Sequence, residues 1–176
     1  MSTVIARPGL APLVAAVRAA VAEADTPART AWRVADALRA NLPGPDILTP
    51  AERAGSPDKY TPHLLHVEPD VPFSILAVVW RPGQVTPIHD HISWCVFGIV
   101  QGIEHETIYR LEDDHLVVAG TATNRVGEVS GFAPPGDIHH MENTGDDISI
   151  SLHIYGADIS DSGTSVRRVY DLPVRR

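Results

Sequence analysis

From Tyr60 onward the chain is a succession of short runs rich in valine and isoleucine, most of them separated by glycine or aspartate. The runs are "FSILAVVW" (Phe73–Trp80), "CVFGIVQG" (Cys95–Gly102), "EHETIYRL" (Glu104–Leu111), "HLVVAG" (His115–Gly120), "ISISLHIYG" (Ile148–Gly156) and "SVRRVYDL" (Ser165–Leu172). Each is too short for a stable helix and carries the β-branched residues that suit a pleated surface, so each reads as a strand. Many short strands in series predict an antiparallel sandwich or barrel of the jelly-roll kind, which closes or covers its sheet edges.

The first part of the chain has a different character. "LAPLVAAVRAAVAEA" (Leu10–Ala24) and "ARTAWRVADALRANL" (Ala28–Leu42) place apolar residues at helical spacing in alanine-rich segments, which predicts two amphipathic helices. Thr26 followed by Pro27 is the pattern of an N-cap with a first-turn proline, and "LPGP" (Leu42–Pro45) ends the second helix. Pro43–Pro57 reads as an irregular connector. The expected organisation is one domain, mainly β: residues 1–57 form a helical extension and connector, packed on a barrel of residues 58–176.

Charge and cysteine content narrow the function classes. With 14 Lys+Arg against 22 Asp+Glu, the chain suits neither nucleic acid nor an anionic membrane as primary partner, which leaves small molecules or proteins. A single cysteine, no signal-peptide pattern and no membrane-spanning apolar run lead to the expectation of a cytoplasmic protein. The sequence assigns no oligomeric state.

The stretch "TPIHDHISWCVFGIVQG" (Thr86–Gly102) sets His89 and His91 one residue apart. In a strand, residues two apart share a face, so both imidazoles can reach one cation while Asp90 points away. The spacing of Gly83, His89, His91 and Gly102 resembles the first motif of cupin barrels, with Cys95 in the place of that motif's glutamate. Pro134, Gly136, His139 and Asn143 resemble the second, with Gly127 one residue off. Together they propose His89, His91 and His139 as metal ligands. Three neutral imidazoles leave the charge of a divalent metal uncancelled and favour an anionic ligand, a thiolate above all. His140 is at the wrong offset from Asn143 and is the lesser candidate; His63, His66, His105 and His115 have no partner pattern, so these four are expected to be solvated.

The segments "WRPGQVTPIHDHISWCVFGIVQG", "GDIHHMEN" and "SISLHIYG" resemble the thiol dioxygenases, that is cysteine dioxygenase type I and its bacterial relative 3-mercaptopropionate dioxygenase, and are closer to the latter. The resemblance runs from Pro43 to about Asp171. It implies Fe(II) held by His89, His91 and His139, a small-molecule thiol and O2 as reactants, and a sulfinic acid as product. It also implies that Ser151, His153 and Tyr155 form a hydrogen-bonded row that orients substrate or oxygen. Period-two spacing puts that row on one face of a strand. A polar stripe satisfied within a barrel core is the structural alternative. A serine hydrolase is not indicated, because no strand-turn-helix elbow surrounds Ser151.

Two departures bear on the substrate. Where the mammalian type has a carboxylate-binding arginine, this chain has Pro62, which offers no charge or donor. The mercaptopropionate type takes an arginine from the strand after the Ser-His-Tyr element, where "SVRRVYD" supplies Arg167 and Arg168. Alternation allows one of them to face inward, with Arg168 preferred. Cys95 has three readings: a thioether to Tyr155, a further thiolate near the metal, or a small buried apolar side chain. The leading substrate is a small thiol carboxylate such as 3-mercaptopropionate, with cysteine second. A metal-binding cupin without oxygenase activity, an isomerase or a ligand-sensing module, is the reading from another class.

Overall fold

The computed structural model describes residues 6–23, 26–70 and 72–175. Two helices, α1 (Leu10–Ala22) and α2 (Pro27–Ala40), open the chain, followed by a 3-10 turn at Pro45–Ile47 and a short α3 (Pro50–Arg53). Among the described residues eleven strands follow: β1 (Thr61–Glu68), β2 (Phe73–Trp80), β3 (His89–His91), β4 (Cys95–Gln101), β5 (Ile103–Glu112), β6 (His115–Arg125), β7 (Val129–Phe132), β8 (Ile138–Glu142), β9 (Ser149–Tyr155), β10 (Val166–Val169) and β11 (Val174–Arg175). One sheet has the order β1-β2-β9-β4-β7 and the other β10-β3-β8-β5-β6-β11. Every pairing is antiparallel except that of β11 with β6, and the two sheets form the expected cupin jelly roll behind two N-terminal helices.

The core lies in two layers, and the strands' period of two sorts residues between them. Phe73, Ile75, Ala77 and Val79 of β2, Val96 and Val100 of β4, and Ile150, Leu152 and Ile154 of β9 face outward against Leu13, Val17, Val34 and Leu38 of the helices. The alternate residues Leu76, Val78, Trp80, Phe97 and Ile99 face into the barrel. Both faces of β2 are therefore covered, which is why "FSILAVVW" is apolar without alternation and all eight residues are buried. Helix α2 comes close to β4 and β7 because of two glycines: a methyl group at Gly98 would lie 3.0 Å from Leu38 Cδ2, and one at Gly131 would lie 3.1 Å from the Ala31 carbonyl oxygen.

Thr26 caps α2 as expected, its hydroxyl accepting from the Arg29 N–H at 3.3 Å. The expected extension of α1 to Ala24 falls partly outside the described residues, and α1 ends at Ala22. The connector differs from expectation. Thr49-Pro-Ala-Glu52 closes a capping box that starts α3, and the Glu52 carboxylate also takes two hydrogen bonds from Arg7, at 2.7 and 2.8 Å. Pro62 is tolerated in β1 because β1 is an edge strand. The four unassigned histidines are partly buried rather than solvated: His66, for example, lies 3.1 Å from Glu68. No helix among the described residues is long and apolar enough to cross a membrane.

Candidate metal centre

Strands β3 and β8 pair so that His89 stands opposite His139, and the period of β3 puts His91 on the same face. One ring nitrogen from each of the three lies within 4.8 Å of the others, and all three side chains are buried. In each ring Nδ1 is already engaged: His89 with the Pro87 carbonyl at 2.9 Å, His91 with Asp137 Oδ2 at 3.1 Å and His139 with Glu106 Oε1 at 2.6 Å. These partners fix ring orientation and leave Nε2 as the converging donor. Burial, then the neighbouring imidazoles, lowers His89 to about 3, and burial and His91 do the same to His139. Both are neutral at pH 7 with a free lone pair, so the donor set fits a divalent first-row metal.

Glu106 and Asp137 were not singled out by the sequence. They return, one bond removed, part of the negative charge lost where Cys95 replaces the motif's glutamate. Burial pushes Glu106 up to about 7. Burial would also raise Asp137, but hydrogen bonds from the His91 ring and backbone hold it below the usual carboxylate range. The even spacing of Glu104 and Glu106 in a strand was the available signal for paired inward carboxylates. His140, as expected, is elsewhere, with Nδ1 at 2.9 Å from the Tyr109 hydroxyl.

The three polar residues of β9 face the barrel and form one row. Ser151 Oγ is 3.0 Å from His153 Nε2, and the Tyr155 hydroxyl is 3.3 Å from His153 Nδ1. With both ring nitrogens occupied, His153 is not a metal donor, and burial lowers it to about 3. The Trp80 indole N–H donates to Ser151 Oγ at 3.1 Å. Indole nitrogen is donor only, so it occupies a lone pair of Ser151, whose hydroxyl also meets His153 and the Glu104 carboxyl. Tyr155 ends the row at the pocket, its hydroxyl meeting His153 and the Ser165 side chain. Behind the row lies Glu104, fully buried, 2.7 Å from the Ser149 hydroxyl and raised to about 7 by burial.

His153 and Tyr155 open into the same cavity as His89, His91 and His139. Its volume is about 240 Å³, and Leu76, Val78, Trp80 and Met141 supply its apolar wall, with Lys59, Tyr60 and Pro62 also lining it. That space holds several waters and is large enough for a small organic acid.

The sequence profile of cysteine dioxygenase type I matches residues 2–163. The chain belongs to that family. Among solved structures, a cupin superfamily protein from Desulfitobacterium hafniense is 15% identical, with 64% of this chain and 85% of that chain aligned at a TM-score of 0.46. An oxalate oxidase is 21% identical over 58% of this chain and 53% of that one, at 0.48. An RmlC-like cupin from Desulfovibrio desulfuricans is 15% identical over 58% and 88%, at 0.44.

Neither Arg167 nor Arg168, of which one was expected to face this pocket, lines it. A β-bulge between Val166 and Arg168 breaks the alternation of β10, and Arg168 stands opposite Asp90. Arg167, Arg168 (at 2.8 Å) and the Tyr170 hydroxyl (at 2.8 Å) all donate to Asp90 Oδ2. Asp90 points away from the histidines, as the sequence predicted, and both arginines follow it to the reverse face of β3. Cys95 is buried and free, and is the register partner of Tyr155. Burial raises its thiol well above the usual range, and it stands outside the donor cluster, so the reading as a further thiolate ligand has no support here.

Proposed function

We propose that the protein is an Fe(II) thiol dioxygenase that converts a small thiol carboxylate, of the 3-mercaptopropionate type or cysteine, to its sulfinic acid. The observation that carries this reading is the phenol end of the Ser151–His153–Tyr155 row opening into the cavity shared by His89, His91 and His139. His89, His91 and His139 would hold the metal, which supplies a site where thiolate and dioxygen meet. Both oxygen atoms pass to sulfur, so the balance is thiol plus dioxygen to sulfinic acid, with no external reductant.

The chain's own contribution is orientation and proton placement. Trp80 occupies one lone pair of Ser151, and Tyr155 presents a hydroxyl toward bound ligands. Burial holds that phenol well above its usual pKa, so it stays a donor. Leu76, Val78 and Met141 keep the cavity wall dry. The protein is a candidate for a reducing compartment, consistent with a free buried thiol.

The test is anaerobic loading with Fe(II), then oxygen uptake with a panel of thiols and mass analysis of the products. A sulfinate formed one-for-one with oxygen consumed supports the reading. No thiol-dependent uptake above the metal-free protein would sink it.

A further inference from the structure

Glu104 is a fully buried carboxyl that the chemistry above leaves unused, and it lies at the inner end of the polar row of β9. Ser149 Oγ is 2.7 Å from its Oε1, and the Ser151 hydroxyl acts on it as well. Its other oxygen, Oε2, is buried without a hydrogen-bond partner, and so is Nδ2 of Asn124, its register partner on β6. An unused donor therefore stands on the rung of an unused acceptor. The charged neighbours are occupied elsewhere. Glu106, on the same face of β5, meets His139, while His105 and Ile103 face the other way together with their partners Glu142 of β8 and Arg125 of β6. From β2 and β9 come Trp80, Ser151 and, through Ser151, His153. Burial lifts Glu104 to about 7, so both of its forms are populated at neutral pH.

The Ser151 hydroxyl has one proton and two lone pairs, and its three neighbours decide where they go. Trp80 only donates, so it fills one lone pair. An ionised Glu104 only accepts, so Ser151 donates to it. His153 must then donate to Ser151 from Nε2 and accept from Tyr155 at Nδ1. Every hydrogen bond runs from the cavity toward Glu104.

We propose that Glu104 is the buried proton acceptor of the Ser151–His153–Tyr155 row and takes up, through it, the proton that a thiol loses in the cavity. The proposal rests on the thiol dioxygenase reading. The S–H bond breaks, its proton goes to the Tyr155 oxygen, and the Tyr155 proton goes to His153 Nδ1. The Nε2 proton passes to Ser151, and the Ser151 proton to Glu104. Thiol has become thiolate, carboxylate has become carboxyl, and nothing has been oxidised. Each bond of the row now runs the other way, and the reverse transfer returns the proton to the sulfinate. Ser149 serves both forms, because the Gln101 carbonyl, at 2.9 Å, accepts its proton when Glu104 does not.

Two readouts test this, one of them without iron. Nitrogen NMR of the metal-free full chain with labelled histidine reads the His153 tautomer from about pH 5 to about pH 9. The proton is expected on Nε2 at the alkaline end and increasingly on Nδ1 below about pH 7, and Glu104→Gln removes the change. In the chain loaded anaerobically with Fe(II), thiol-dependent kcat is expected to rise through about pH 7. Glu104→Gln flattens that rise and lowers kcat at pH 8 by about a hundredfold, with bound iron unchanged. A His153 tautomer that stays constant across the range in the wild-type chain would overturn the proposal whether or not the variant folds. So would a Glu104→Gln profile that keeps the rise. If the tautomer changes but no thiol drives oxygen uptake, the dioxygenase reading fails and the proton path stands. If uptake is present and the tautomer is constant, the reverse holds.

Discussion

Cys95 of β4 stands directly opposite Tyr155 of β9 in the antiparallel register, so both side chains face the barrel interior. A thiol and a phenol so placed can join as a thioether, with loss of two hydrogens to dioxygen as oxidant. After aerobic turnover of the Fe(II) protein, peptide mapping is expected to find a linked Cys95–Tyr155 peptide lighter by two hydrogens. Cys95→Ser abolishes it. Recovery of both peptides separately, with a fully titratable thiol, would show that Cys95 is simply a small buried side chain.

Trp80→Phe tests the direction of the polar row. Losing the indole N–H frees a lone pair on Ser151, so the row is no longer held in one orientation. Stability is expected to fall by about 1 kcal/mol, the net worth of a hydrogen bond. Oxygen-uptake kcat falls several-fold while bound iron, measured by metal analysis, is unchanged. Loss of metal in proportion to activity would instead place Trp80 in support of the donors.

Glu106→Gln keeps an acceptor for His139 Nδ1 and removes the charge behind it. Partners in that position typically change metal affinity tenfold or more, so competition with a chelator is expected to show Fe(II) affinity reduced by about that factor. Equal affinity would mean that Glu106 only orients the ring.

The buried Glu104 has a pH signature. Its folded value is raised from 4.5 to about 7, so the folded state holds the proton more tightly than the unfolded chain. The stability from that proton is full below the unfolded value and is lost as pH rises through about 7. Above it, charged Glu104 costs roughly 3 kcal/mol. Glu104→Gln mimics the neutral acid and is expected to raise the melting temperature at pH 8 but not at pH 4. The same shift at both pH values would mean that Glu104 is not the titrating group.

The barrel was legible because its signal is local: alternation and glycine punctuation mark each strand, and Thr26-Pro27 marks a helix start. The metal donors were legible because both motifs keep fixed offsets along β3 and β8. What was hidden lies across strands. Glu106 meets His139, and Trp80 meets Ser151, only through sheet pairing, which no spacing within one strand reports. The arginines were misplaced for a related reason. Strict alternation requires an unbroken ladder, and the bulge in β10 removes it just where Arg167 and Arg168 stand.

Arg168→Ala separates the two faces of β3. Its guanidinium holds Asp90 Oδ2 together with Arg167 and Tyr170, and Asp90 Oδ1 has no hydrogen-bond partner, so the carboxylate depends on these donors. Removing Arg168 is expected to lower the melting temperature. Because Asp90 lies between two metal donors, activity falls as well, but by the same factor for 3-mercaptopropionate and 3-mercapto-1-propanol. A loss confined to 3-mercaptopropionate in Arg168→Ala would mean that the arginine leaves Asp90 and reaches the substrate.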